Sequence, residues 1–404
     1  MFCCASWLVL CISVFVLIAS KICNKKPAPM FGVYQRPNGY YWFKFVFMLT
    51  ILYIKKFKHF LSPVTRNDMN KVECPQKLPP TANAVDAVFF SSANKHGDYF
   101  VIGTARRRNR LIDGFIVLKI DSLGLGTLVL PKAPDTALFN SGEEQSYEAE
   151  GIKVSVSEPM EKWAIKYEGQ LKECNDSKKL HDVKIEATWS SDKPWYNYNT
   201  DMVPWEMATG LAYERWSRSY FENSKKFHQD HYEQFGTLRA SITIDGKYYK
   251  IELDSVRDHS MGEHRDWSLF KRYSLHYVAA ENGDQFYIGN ICVPLIFSRL
   301  KFGHMYNAAT GKMYSITDCT FELFNFGEMG QPPDDYAFSF KAGGNEYFLQ
   351  INVSDSPHFY LSKDCDIKLY ERLCTYKVNG KDAWGTTEWV YRNPKGRSIL
   401  DEEK

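Results

Sequence analysis

The chain has 404 residues, of which 44% are hydrophobic, 24% charged and 15% aromatic, and its formal net charge is +2. This length exceeds one ordinary compact domain and excludes a small disulfide-stapled scaffold. The near-neutral charge argues against a nucleic-acid-binding protein, whose affinity would come from a positively charged domain. The charge is uneven, because residues 1–70 carry +8 and the remainder carries −6. A basic N-terminal piece therefore precedes a mildly acidic body.

The chain begins with an uncharged apolar run of nineteen residues, Phe2 to Ser20, which is about the length of a helix that spans a bilayer. A cleaved signal peptide is the alternative, but it needs a basic residue before the run, and the first one here is Lys21. We therefore predict a single-pass transmembrane helix. The positive-inside rule places Lys21, Lys25, Lys26 and the body on the cytoplasmic side. We predict that the membrane is an endomembrane such as the endoplasmic reticulum.

A second apolar stretch, Phe45 to Ile54, has ten residues and is bracketed by lysines. It is too short to span a bilayer alone, and the aromatic and basic residues around it are typical of a segment at the headgroup level. A short buried helix and a re-entrant hairpin are the alternatives. We predict that residues 1–61 contact membrane lipids and that residues 62–84, which are rich in proline, form an extended linker.

From residue 85 onward, short alternating runs separated by turn signals predict an all-β fold of the sandwich or barrel type. One helical segment interrupts the pattern, beginning at Pro204 and continuing with apolar residues at helical spacing. We therefore predict a first β unit at 85–200, a helical insertion at 201–230, a second β unit at 231–395 and a tail at 396–404.

Asp245-Gly246 lies between two alternating runs, which predicts a β-hairpin with a two-residue turn. In that register Tyr232 faces His259 and Gln234 faces Arg257. Because side chains alternate across a strand, these four polar residues continue the apolar inner face of the hairpin. A polar cluster at the end of an apolar wall is typical of a binding or catalytic cavity.

Glu233 and Asp258 point to the other face in this register, and one bulge would exchange the two sets. A carboxylate beside His259 could orient its imidazole, which gives or takes a proton near neutral pH. We therefore predict His259, Asp258 and Glu233 as catalytic residues. The predicted ligand-binding residues are Tyr232, Gln234, Arg257, Arg265, Asp266 and Trp267. The alternative is a satisfied hydrogen-bonded plug at a barrel end.

Signatures of metals and organic cofactors are missing from the sequence. It contains no CxxC pair, Walker loop, dinucleotide fingerprint or nucleophile elbow, and the histidines near the hairpin form no helical His-x-x-x-His pattern. We therefore predict no cofactor and no metal.

The hairpin motifs are similar to those of a known superfamily. Tyr232–Gln234, Arg257–Ser260 with Gly262, and Arg265–Trp267 resemble the signature of the lipocalin-like tocopherol cyclase and carotenoid 1,2-hydratase superfamily. Within it, they resemble the branch with the motif Arg-Asp-His-Ser-aromatic-Gly followed by Arg-Asp-Trp. The resemblance covers most of residues 85–395. It implies two lipocalin-like β units, a cavity for a hydrophobic ligand, and protonation or hydration of an alkene without a redox cofactor.

Two functions remain open at this stage. The first is a membrane-anchored, cofactor-independent lyase, hydratase or isomerase that acts on a lipid or isoprenoid-like small molecule, with His259 as the acid or base. The second is a module that binds or presents a lipid in the same β cavity without catalysis. Neither function involves nucleic acid.

Overall fold

The computed structural model describes residues 27–402, so the transmembrane helix predicted at Phe2–Ser20 lies outside the described residues. Between residues 27 and 402, none of the helices combines the length and the apolar character needed to cross a bilayer. These helices are α1 (Tyr41–Leu61), α2 (Arg66–Glu73), α3 (Pro204–Tyr213), α4 (Arg218–Lys226) and α5 (Ile399–Glu402).

The first twelve strands form one sheet around a closed barrel. In chain order they are β1 (Val85–Ala93), β2 (Tyr99–Arg106), β3 (Leu111–Lys119), β4 (Leu128–Val129), β5 (Ala137–Phe139), β6 (Tyr147–Ala149), β7 (Ile152–Glu158), β8 (Lys162–Glu173), β9 (Asp176–Ser190), β10 (Trp195–Asn197), β11 (Gln229–Ile244) and β12 (Lys247–Gly262). Eight of them close the barrel in the order β11-β12-β1-β2-β3-β4-β8-β9, and β9 pairs back to β11. Strands β5, β6, β7 and β10 extend the sheet outside this ring.

The remaining nine strands form a second closed barrel. They are β13 (Arg272–Ala280), β14 (Gln285–Val293), β15 (Phe297–Asn307), β16 (Lys312–Thr317), β17 (Asp335–Ala342), β18 (Asn345–Asp355), β19 (His358–Leu361), β20 (Ile367–Val378) and β21 (Lys381–Arg392). The ring runs β13-β14-β15-β16-β17-β18-β20-β21 and closes by pairing of β21 with β13, while β19 pairs with β20 outside it. The predicted all-β architecture with two barrel units is confirmed.

The boundary between the two units differs from the prediction. The β11–β12 hairpin, assigned from the sequence to a second unit at 231–395, closes the first barrel because β12 pairs with β1 from Val85↔Gly262 to Ala93↔Asp254. The second barrel therefore begins at Arg272. A hairpin signal is local and specifies which two strands pair through the turn, whereas the outer partner of each strand depends on distant sequence.

The predicted register of this hairpin is confirmed. Ile244 pairs with Lys247 across the turn, and the pairing continues without a bulge to Tyr232↔His259 and beyond. Asp245 has a φ of 49° and Gly246 a φ of 79°, which are the positive values that a type I′ turn requires. The alternating apolar side chains point into the first barrel, where they join its core.

The two barrels pack against each other through apolar outer faces. Phe115 of β3 stacks on Phe359 of β19 with ring centroids 4.7 Å apart, and the Tyr99 hydroxyl donates to the Cys374 carbonyl at 2.9 Å. Strand β1 is buried on both faces, and the Ser91 hydroxyl on it contacts the Thr386 hydroxyl of the second barrel at 2.6 Å.

The segment predicted as an extended linker contains a two-turn helix, α2. A capping box at its start accounts for this difference, because the Thr65 side chain accepts from the Asp68 backbone and Asp68 accepts from the Thr65 backbone. Such reciprocal caps stabilise even short helices. The helix ends at Glu73, whose side chain is fully buried in the first barrel.

Candidate active site

A cavity of about 430 Å³ lies between the two barrels. Most of its wall is apolar and comes from three sources: the outer face of the first barrel, the outer face of the second barrel, and the helical insertion between β10 and β11. Representative lining residues from these sources, in that order, are Ala87, Phe89, Phe115, Leu275, Phe302, Leu361, Met207 and Phe227. A cavity of this size and character suits a hydrophobic small molecule.

The first barrel contributes a histidine held between two carboxylates. His231 and Asp258 line the cavity, and the His231 Nε2 lies 2.7 Å from the Asp258 Oδ2 and 3.2 Å from the Glu233 Oε1. These three residues share one face because His231 and Glu233 alternate on β11 and Asp258 faces Glu233 on β12. The Tyr198 ring stacks on the imidazole at 4.4 Å, and its hydroxyl donates to Glu233 at 3.0 Å.

The charges of this cluster set its protonation. Burial acts to lower the pKa of His231, but the charge of Asp258 and its hydrogen bond outweigh burial and raise the pKa to about 10. Burial raises the pKa of Glu233 to about 7. Burial opposes the ionisation of Asp258, yet the charge of His231 holds its pKa below the ordinary value. At neutral pH the site therefore pairs an imidazolium with the Asp258 carboxylate.

The second barrel contributes a carboxyl group of its own. Glu388 of β21 lines the cavity, and burial raises its pKa to about 7. The Tyr273 hydroxyl donates a hydrogen bond to it. Glu371 faces Glu388 across the β20–β21 pair, and burial followed by the charge of Glu388 raises the pKa of Glu371 well above its ordinary value. Glu388 is thus a carboxyl group that can be protonated near neutral pH in an apolar cavity.

Arg265, Asp266 and Trp267 lie on the loop that follows β12, and all three line the cavity. Arg265 donates to the Gln229 side chain at 2.9 Å and to the Ser260 hydroxyl at 2.7 Å, while its guanidinium lies 5.6 Å from the Trp267 ring. Asp266 accepts from the Ser268 backbone at 3.0 Å and caps the turn that follows. The structure thus brings these predicted residues together with Asp258 around one cavity.

Glu233 shares the outer face with His231 and Asp258 but does not itself line the cavity. The remaining predicted site residues, Tyr232, Gln234, Arg257 and His259, lie on the opposite face of the hairpin, inside the first barrel, and do not line the cavity either. His259 is fully buried there: its Nδ1 lies 2.7 Å from the Tyr232 hydroxyl and its Nε2 lies 2.9 Å from the Asp86 Oδ1. The carboxylate that contacts His259 is therefore Asp86, whereas the predicted partner, Asp258, contacts His231. This agrees with the predicted register, in which Asp258 and His259 point to opposite faces. No local pattern in the sequence indicates that Asp86, which is distant in the chain, supplies the carboxylate.

Arg257 and Gln234 complete this buried cluster. Arg257 forms an ion pair with Glu73 at 3.2 Å and donates to the Gln234 side-chain oxygen, Oε1, at 2.9 Å. Gln234 in turn donates to the Lys193 carbonyl at 2.8 Å. The Arg257 guanidinium lies 5.2 Å from the Trp189 ring. This environment matches the alternative of a hydrogen-bonded plug, and the ligand-binding and catalytic roles of these inner residues stay predictions.

Sequence reasoning missed three cavity residues: His231, Glu388 and Tyr273. The signal for His231 was its place two residues before Glu233 on one strand face. In the predicted register Glu233 is opposite Asp258, so all three side chains share that face. The signal for Glu388 was an acid directly before the apolar run Trp389–Tyr391 of the closing strand. The ligand atoms of His231, Glu233 and Asp258 lie within 4.8 Å of one another, so this group could also hold a metal ion.

Comparison with solved structures gives the fold. A candidate AttH protein of Nitrosomonas europaea (NE1406) has a TM-score of 0.51 and 11% identity, covering 80% of this chain and 99% of its own. Kievitone hydratase of Nectria haematococca has a TM-score of 0.46 and 11% identity, covering 78% and 90%. CghA has a TM-score of 0.42 and 9% identity, covering 79% and 94%. At these identities the first likeness shows the fold alone.

The lipocalin-like β-barrel fold predicted from the sequence is thereby supported, while the branch of the superfamily stays a prediction. No curated protein matches the sequence. A family model does match it, over residues 8–391, which is nearly the whole chain. The chain therefore belongs to this family, which is described as a family of unknown function (DUF8627).

Proposed function

We propose that the protein binds a hydrophobic small molecule in the cavity between its barrels and catalyses a proton-transfer reaction on it, as a lyase, hydratase or isomerase. One observation carries the proposal: an apolar cavity of about 430 Å³ is lined by His231 with Asp258 from one barrel and by Glu388 with Tyr273 from the other. The apolar wall favours an uncharged ligand of the lipid or isoprenoid-like class.

Glu388 is the proposed acid, because a protonated carboxyl group in an apolar cavity can give its proton to a carbon–carbon double bond. Proton transfer to one carbon of the double bond leaves a positive charge on the other. The Asp258 carboxylate stabilises that charge. Loss of a neighbouring proton to the Glu388 carboxylate formed in the first step then gives an isomer and regenerates the acid. Alternatively, water attacks the cation and gives its extra proton to the same carboxylate, which yields a hydrated product.

His231 is the proposed positioning residue of this reaction. Its protonated ring holds Asp258 and Glu233 in place through contacts of 2.7 and 3.2 Å, and it balances their charge in the buried cluster. In this proposal the acid/base role that the sequence placed on His259 belongs to Glu388 of the second barrel, while the opposite face of the hairpin contributes Asp258 and the residues that position it.

The test begins with the full chain purified in mild detergent, from which bound lipid is extracted and identified by mass. Glu388→Gln is expected to retain the bound molecule and to abolish its conversion, because the amide keeps the shape but has no acidic proton. Asp382→Asn is the matched control, since Asp382 lies on the same strand as Glu388, is exposed and does not line the cavity. Unchanged conversion of the bound lipid in Glu388→Gln would refute the role of Glu388 as the acid.

A non-catalytic lipid-binding function is the second candidate, and one observation favours it. His231 and Asp258 already satisfy each other through a 2.7 Å hydrogen bond, as they would in a structural ion pair. In this case the extracted lipid would be identical in mass in the native chain, in His231→Gln and in Glu388→Gln. Products in the native chain alone would exclude it.

We further propose that residues 1–61 attach the protein to a membrane, with the body on the cytoplasmic side of an endomembrane such as the endoplasmic reticulum. The uncharged run Phe2–Ser20 and the basic residues that follow it support this proposal. A glycosylation acceptor inserted after residue 84 is expected to stay unmodified in cells. Its glycosylation would refute the cytoplasmic placement.

A further inference from the structure

Helix α1 has two apolar faces, of which only one is buried. The inner face packs on α3 through Phe45, with Tyr41, Met48, Leu49 and Leu52 around it. The outer face consists of large hydrophobic side chains that are exposed: Trp42, Phe43, Val46, Phe47, Ile51, Tyr53, Ile54, Phe57, Phe60 and Leu61. Contiguous exposed apolar surface of this extent marks an interaction site in a folded protein.

The inner contacts determine which face points outward. The Phe45 ring meets the Trp205 ring edge to face with centroids 4.6 Å apart. Lys44 is the one charged residue of α1 before Lys55, and it is buried: its Nζ donates to the Glu214 carbonyl at 2.6 Å. Burial lowers its pKa to about 8. The helix thus turns its lysine inward and exposes phenylalanines, the reverse of a helix whose outer face meets water.

We propose that the outer face of α1 docks on the surface of an anionic lipid bilayer, with the helix lying in the headgroup region. Three features favour a lipid surface as the binding partner of this face. Tyr and Trp side chains lie near the start of the helix, as they do at membrane interfaces. Lys55, Lys56 and Lys58 follow the apolar turns and complement anionic headgroups. The uncharged run Phe2–Ser20, predicted to span a bilayer, ends about twenty residues before α1.

Charge argues against a second copy of the chain as the occupant of this face. Residues 1–70 carry +8, so a dimer formed through α1 would bring two strongly basic segments together. An anionic surface instead gains from each lysine that it meets.

Docking through α1 also brings the cavity close to the bilayer. The inner face of α1 packs on α3, and α3 contributes Met207 to the cavity lining. The rest of the helical insertion adds Ser224 and Phe227 to the same wall. A hydrophobic ligand can then pass from the bilayer to the cavity along one layer of helices. This last step rests on the proposed function of the cavity, whereas the docking itself does not.

Photo-crosslinking on the full chain tests the docking. The chain is reconstituted with vesicles of phosphatidylcholine containing about 30% phosphatidylserine, with p-benzoylphenylalanine in place of Phe43 or of Phe57. Mass spectrometry of the irradiated samples is expected to find lipid adducts at both positions, several-fold more abundant at position 57 with phosphatidylserine than without it. Tyr248, which is 59% exposed on the first barrel, is the matched control position and is expected to give none.

Adducts to residues 1–26 of the same chain, or to a second chain, would overturn the proposal, because a protein segment would then cover the face. A vesicle-bound chain without lipid adducts at positions 43 and 57 would also overturn it, while leaving attachment through the N-terminal run intact. A chain that fails to float with vesicles refutes the attachment as well. None of these outcomes depends on what the cavity binds or converts, so failure of the docking is distinguishable from failure of the catalytic proposal.

Discussion

Replacing Glu73 by alanine is expected to destabilise the protein strongly. Glu73 Oε2 lies 3.2 Å from Arg257 Nη1, and both side chains are fully buried. Removal of one partner from a buried ion pair costs about 3–5 kcal/mol, because the other charge is left uncompensated. The Trp163 indole N–H, which donates to Glu73 at 2.5 Å, also loses its acceptor, at about 1 kcal/mol. The total of about 5 kcal/mol is comparable to the whole stability of many domains.

The assay is urea unfolding of the full chain in detergent, followed by tryptophan fluorescence. Arg257→Met combined with Glu73→Leu is expected to recover most of the loss, since no charge is then left unpaired. Arg66 and Glu161 form a matched exposed pair, 2.5 Å apart, and Glu161→Ala is expected to cost less than about 1 kcal/mol. A free energy of unfolding of Glu73→Ala within about 1 kcal/mol of the native value would refute the structural role of the buried cluster. Loss of bound lipid with unchanged stability would refute it as well.

Three further outcomes follow from the cavity. Conversion of the ligand is expected to fall as the pH rises through about 7, because Glu388 must be protonated to act; a rate that rises over this range would contradict the acid role. Asp258→Asn is expected to lower the pKa of His231 from about 10, as NMR titration of the ring would show, and an unchanged pKa would contradict the charge pairing. Because the folded pKa of His231 lies above its ordinary value of 6.5, its contribution to stability is fully present below pH 6.5 and is lost toward pH 10. In His231→Gln, the free energy of unfolding measured in urea is expected to fall less steeply between pH 6.5 and pH 10. A pH dependence equal to that of the native chain would contradict the raised pKa of His231.

Much of the local structure around the site could be predicted from the sequence. The Asp245-Gly246 turn and the strict alternation of apolar residues determined the register down to Tyr232↔His259, because both signals act between neighbours in the chain. The same alternation correctly separated the inner residues, such as His259, from the outer ones, such as Asp258.

The location of the cavity could not be predicted in this way. An apolar face on one side of a hairpin indicates the interior of its own barrel, and the sequence analysis therefore placed the ligand there. The structure fills that interior with Tyr232, Arg257 and their partners, while a second barrel covers the outer face and encloses the space beside His231. Packing between two units depends on contacts far apart in the chain, such as Phe115 with Phe359, which no local pattern reveals.

Closure of the first barrel by its first and last strands has a consequence for biosynthesis. Val85 pairs with Gly262, so the barrel cannot close until the whole stretch between them has left the ribosome, roughly 10 to 35 s after β1 emerges. Throughout that interval β1 has an unpaired edge. An unpaired strand edge can pair with other chains, so β1 is a site of misassembly until β12 has been made.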